Sequence, residues 1–133
     1  MIYETNRSAI KLSPTEEFVD WLNEADAKAM GDKHVPLTLE DAESQSSVYL
    51  IPWVDNREDA IEYVKSSYHA LFELELAAWM PERTLWPKEL SWELFDEFFF
   101  IVSSEMVFDA LDTDIDFQRD DSSPYGKPGS VGS

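Results

Sequence analysis

Two glutamates, Glu75 and Glu105, are placed where acid–base chemistry would need them. Plotted at about 100° per residue, Ile61, Val64, Tyr68, Leu71, Phe72 and Trp79 share one helix face, and Glu75 falls in the middle of it. Leu94, Phe98, Ile101 and Phe108 make a second stripe on the next apolar segment, and Glu105 lies within that one. A carboxylate removed from water is pushed toward its protonated form. Two such groups facing each other in a pocket between helices would serve as general acid and base or as metal ligands. The competing reading is structural: each glutamate accepts hydrogen bonds from an indole, a hydroxyl or a guanidinium. Trp79, Trp86, Trp92, Tyr68 and Arg83 are donors within the same segment. We favour the structural reading, which requires at least one of the two carboxylates to be buried and hydrogen-bonded.

Other chemistries find less support. A carboxylate di-metal bundle supplies Glu-x-x-His from two helices, but the positions three before His34 and His69 hold Gly31 and Ser66. No metal or other cofactor is therefore expected. Asp112-Thr113-Asp114-Ile115-Asp116 opens like a calcium loop, yet Phe117 and Ser123 stand where that loop needs glycine and glutamate. The same stretch is better read as a solvated acidic patch. Asp109, Asp112, Asp114, Asp116, Asp120 and Asp121 are offset there only by Arg119 and form the candidate surface for a basic partner. Ser47, Ser66, Ser67, Ser103 and Ser104 lack a Gly-x-Ser-x-Gly elbow, and the 4 glycines leave no phosphate-cradling loop. The absence of cysteine excludes disulfides, thiolate nucleophiles and thiolate metal sites together.

The elements that would position these residues follow from periodicity. Ser8–Leu12 alternates, with Ile10 and Leu12 to one side and Lys11 to the other, which predicts a strand. Ser13-Pro14-Thr15-Glu16-Glu17 opens a helix that ends at Gly31 and turns Phe18, Leu22 and Ala25 inward. Val35, Leu37 and Leu39, then Val48–Trp53, suggest two antiparallel strands joined by a polar turn, with Pro52 confining the second to an edge or an end. Asp55 or Asn56 caps a long helix. Pro81 and Pro87 bracket a connection, and Ser91 opens a last helix running toward Asp112. The predicted fold is α+β: an antiparallel sheet of about three strands covered by three helices, in the order strand-helix-strand-strand-helix-helix. One domain is expected over residues 1–116, followed by a disordered tail over 117–133, acidic and then rich in Ser, Gly and Pro.

Arg7–Leu12 leading into Phe18 and Trp21, Tyr49-Leu50-Ile51-Pro52, Leu85-Trp86-Pro87-Lys88, and Leu94-Phe95 at a final helix give the chain a likeness over most of residues 7–112. It resembles a group of small, mainly bacterial domains to which no activity is attached. The resemblance implies a shared fold and no chemistry.

Charge narrows the function classes. Among 133 residues, 28 acids against 10 Lys plus Arg give a net −18, and the pI is about 4.1. Such a chain repels nucleic-acid phosphate and anionic lipid, so neither direct nucleic-acid binding nor membrane association is expected. Adaptation to high salt would also explain acidity, but not the 8 Phe and 5 Trp. The N-terminal residues lack a basic region followed by an apolar run, which makes the cytoplasm the expected location. The preferred function is a non-enzymatic acidic interaction module that binds a basic protein partner or self-associates as a homodimer. The alternative is a small enzyme or ligand-binding domain using Glu75 and Glu105. An acidic domain with no special site is the third reading.

Overall fold

Residues 2–111 and Thr113 are described by a computed structural model of the chain. Asp112, Asp114, Asp116, Asp120, Asp121 and the tail expected over 117–133 lie outside the described residues. The elements are β1 (Tyr3–Glu4), β2 (Arg7–Pro14), α1 (Glu16–Met30), α2 (Leu39–Glu43), β3 (Ser47–Pro52), α3 (Arg57–Trp79), α4 (Trp92–Phe98), β4 (Phe99–Ser104) and β5 (Phe108–Asp109). Short 3₁₀ turns occupy Gly31–Lys33 and Arg83–Leu85. The central sheet is antiparallel, in the order β3-β2-β4, and β1 pairs with β5 in a separate two-stranded ribbon. This is the expected α+β class with a three-stranded antiparallel sheet.

Helix starts obey local chemistry. The side chains of Thr15, Thr38, Asn56 and Ser91 each accept a backbone N–H from the first turn of α1, α2, α3 and α4 respectively. Thr15 also donates to the Glu97 carbonyl at 2.6 Å, tying the start of α1 to the end of α4. Gly31 closes α1 at φ 58°, a backbone conformation that costs a side-chain-bearing residue strain.

The core lies between the inner face of the sheet and α1, α3 and α4. Phe18, Phe72, Phe95 and Phe99 are essentially solvent-free, with ring centroids 5.0 Å apart for Phe18–Phe99 and 5.4 Å for Phe72–Phe95. Ile10 and Leu12 of β2, Ile51 of β3 and Ile101 of β4 complete it from the sheet side.

Two expected elements differ, and with them the predicted order. Val35–Leu39 is not a strand. Val35 is 79% exposed, and Asn23 of α1 donates its side-chain N–H to the Leu37 carbonyl at 2.9 Å and accepts the Leu37 N–H at 2.8 Å. That side chain satisfies the two backbone groups a ladder would have used, and Thr38 then starts α2. The last helix is also shorter than its apolar content suggests. It stops at Phe98, and Phe99–Ser104 becomes the third strand. A segment apolar on all sides as a helix is, as a strand, apolar on both faces. Phe99 and Ile101 point into the core while Phe100 and Val102 point out, and aromatic and β-branched residues followed by two serines favour that backbone.

Candidate functional site

Glu75 is the one buried carboxylate among the described residues, 2% exposed on the core side of α3. Its Oε2 accepts the hydroxyl proton of Tyr49, which β3 directs inward beside Ser47. The Ser47 hydroxyl and the Trp79 indole, one turn further along α3, are also within hydrogen-bonding reach. Burial pushes the Glu75 carboxyl above its ordinary range, and the hydrogen bonds from Tyr49, Ser47 and Trp79 oppose that rise. Tyr49 is pushed well above the ordinary tyrosine range, by burial first and then by the neighbouring carboxylate. The arrangement is therefore a satisfied polar clasp between β3 and α3. Of the donors expected from the sequence, Trp79 takes part. Trp86 instead donates its indole N–H to the Met80 carbonyl at 2.7 Å, and Arg83 pairs with Glu73 at 3.3 Å. Tyr49 was not singled out: as the inward position of an alternating strand its ring was readable as core, but its distance from Glu75 in sequence hid the pairing.

Glu105 is not on a helix. It follows β4, is half-buried, and receives the Ser103 hydroxyl at 3.4 Å. No hydrogen bond joins it to Glu75, so the facing pair on two helices is replaced by two carboxylates on different elements. A second polar node lies beside it. Ser8, fully buried on β2, donates to the Glu105 carbonyl at 2.9 Å and accepts the Val54 N–H at 3.0 Å, holding the exits of β4 and β3 together. Among the described residues no cluster of three or more His, Asp or Glu side chains is arranged to hold a metal ion. Asp109 lies on β5 opposite Tyr3, where its Oδ1 accepts the Leu111 N–H at 2.9 Å.

Three of the surface clefts among the described residues are candidate sites for something external. The first, about 250 Å³, lies between α1 and the 84–88 connection and is lined by Trp21 and Trp86 with the charged Glu24, Lys28 and Lys88. The second, about 260 Å³, is bounded by Asn23, Asp26, Leu37 and Trp79; His34 beside it bonds Asp26 at 2.8 Å. The third, about 220 Å³, is a shallow depression on the outer face of the sheet, over Ala9 and Lys11 between Val48 and Val102. Neither Glu75 nor Glu105 lines any of the three.

That outer sheet face is the least expected surface. Its apolar side chains are open, although the Arg57 guanidinium lies over the Phe100 ring: Val48 is 64% exposed, Leu50 50%, Phe100 59% and Val102 43%. Pairing sets them in rows, with Val48 and Val102 flanking Lys11, and Leu50 beside Ala9. Arg7, Ala9, Lys11 and Ser13 face out from β2, with Pro52 beside Arg7 on β3 and Ser104 beside Ala9 on β4. No outward position of the sheet carries an acid, in a chain with 28 of them. Arg7 and Lys11 make no ion pair among the described residues. No described helix is long and apolar enough to cross a membrane.

Comparison with protein-family models, with curated proteins and with solved structures found no match for the chain.

Proposed function

We propose that this protein is a non-enzymatic acidic interaction module that binds a basic protein through the uncovered face of its sheet. One observation carries the reading. Val48, Leu50, Phe100 and Val102 form an exposed apolar surface without a carboxylate, set in a molecule of net charge −18. Monomers seldom leave such a face open without a use for it. An apolar centre inside a charged surround is the anatomy of a protein interface, in which the centre supplies contact and the surround supplies steering. The Lys11 stem adds apolar area between its valine neighbours while its ammonium reaches outward. Glu75 favours no enzymatic reading, because its hydrogen bonds are made within the core.

The test is capture from native lysate by the full chain and by Val102→Asp, each at low and at high salt. Basic proteins held by the native chain, released by salt and lost from the variant support the reading. A captured set indifferent to salt, or the same set on the variant, overturns it.

A further inference from the structure

The edge strand β3 carries a second surface. Thr15 donates its N–H to the Phe98 carbonyl at 2.9 Å, continuing the register that pairs Ser13 with Phe100, Lys11 with Val102 and Ala9 with Ser104. In an antiparallel ladder these alternate residues of β2 are the ones bonded to β4, so Ser8, Ile10 and Leu12 bond the other way, to Ile51, Tyr49 and Ser47. Val48 and Leu50 are left with their N–H and C=O groups directed away from the sheet. No backbone bond among the described residues takes them. Exposed edges are usually guarded by charge, bulges or a covering element. Here Gln45–Val54 contains no charged residue, in a chain where 29% are charged. Pro52 alone interrupts the edge. The opposite edge is guarded: Arg57 donates to the Ile101 carbonyl at 2.9 Å, and its guanidinium lies 5.4 Å from the Phe100 ring centroid.

We propose that a second copy of this chain adds to β3, the two β3 strands pairing antiparallel about Tyr49 and joining the two sheets into one. The edge is self-complementary in that register: Val48 of one copy lies opposite Leu50 of the other, twice over, and both outward residues of each strand are bonded. Their side chains fall on the same outer face, so the two apolar surfaces become continuous. Charge also selects a copy. Two molecules each of net −18 repel one another, and they meet here along a stretch where neither carries charge. Growth ends at two, because the β4 edge is closed by Arg57; the contact is isologous and does not continue into a fibre. This inference goes beyond the basic-partner reading and has the opposite salt dependence, since screening relieves repulsion between copies but weakens attraction to a basic protein.

Sedimentation of the full chain over a range of concentrations, at low and high salt, tests it. The mass rises from 15.3 kDa toward twice that value, and the dimer tightens by about threefold or more as salt screens the like charges. Val48→Lys/Leu50→Lys and Val48→Glu/Leu50→Glu are each monomeric, and an equimolar mixture of the two regains association as a heterodimer. In the native chain the Val48 and Leu50 amides exchange more slowly as concentration rises, while those of Tyr49 and Ile51 do not change. Val102→Lys, on the far strand, leaves the dimer intact while removing the face that the basic-partner reading needs. A chain that stays monomeric at high concentration and high salt overturns the inference. So does a dimer that survives both charged double variants or is dissociated by Val102→Lys.

Discussion

Tyr49→Phe removes one hydroxyl and nothing else, and it tests whether the β3–α3 clasp is structural. The substitution leaves the Glu75 carboxylate in place, 2% exposed, without its Tyr49 donor. An under-satisfied buried acceptor costs about 1–3 kcal/mol, and a charged one lies at the upper end. For 133 residues, an unfolding entropy of about 2.1 cal/mol/K per residue makes each kcal/mol worth roughly 4 °C, so Tm falls by about 4–11 °C. Glu75→Gln keeps an oxygen for Tyr49 and removes the charge. The Glu75 pKa is raised in the fold, so the protonated form binds the fold better than the ionised one. The stabilisation this gives is full below the ordinary carboxyl value near 4.5 and is lost as pH rises through the raised folded value. The difference in unfolding free energy, Glu75→Gln minus native, therefore grows as pH rises above about 4.5 and then levels off. Urea denaturation of both proteins across that range reads the difference directly, and the many surface acids cancel because both proteins carry them. In Tyr49→Phe/Glu75→Met the hydroxyl and the carboxylate are gone together, and part of the loss caused by Tyr49→Phe alone is recovered, the rest being held back by Ser47 and Trp79, which lose their acceptor. A Tyr49→Phe loss below about 0.5 kcal/mol would refute the clasp, and a pH-independent difference for Glu75→Gln would refute the net rise that burial gives its carboxyl.

Ser8→Ala removes the bond to the Glu105 carbonyl and the acceptor for the Val54 N–H, both from a fully buried site, and is expected to lower stability by about 2–3 kcal/mol in chemical denaturation. Asn23→Ala frees the Leu37 backbone; amide exchange there should quicken at least about tenfold while the β2–β4 ladder keeps its protection.

The residues show why part of this fold was legible and part was not. α1 announced itself because acids, apolar spacing and terminal glycine agree on one answer. Its cap, however, is Thr15: Ser13 and Pro14, read as cap and first turn, are instead the last residues of β2, held there by pairing with Phe100 and Phe99. β2 was equally clear from its alternation. Phe98–Val102 was ambiguous because a run of large apolar residues fits a buried helix or a strand with two apolar faces. The choice is made by pairing with β2, a partner far away in sequence. Val35–Leu39 carries an alternating pattern but loses its ladder to Asn23, and no local rule reports a side chain arriving from another helix. The burial of Glu75 was readable from helical period; that Tyr49 holds it was not, because the contact is made only once β3 packs on α3. Reading Glu105 on a helix followed from placing Phe99–Ser104 there, so one wrong period displaced a candidate site residue.

An uncovered apolar face and an unguarded edge on one small protein ought to be an aggregation hazard, and the charge explains why they are tolerable. Guarding can be local, by a lysine on the edge, or global, by a net charge that keeps molecules apart except where they fit. With −18 spread over the chain and no acid on the outer sheet positions, this protein uses the global form. Protection of that kind disappears at the isoelectric point, about 4.1, whereas local guards would persist there. Solubility should therefore fall sharply as pH approaches about 4.1. Replacing Val48, Leu50, Phe100 and Val102 together by serine, which leaves the net charge unchanged, should keep the protein dispersed at that pH. A four-serine variant that precipitates as readily as the native chain would show that the sheet is not the sticky surface and that its open face needs another explanation.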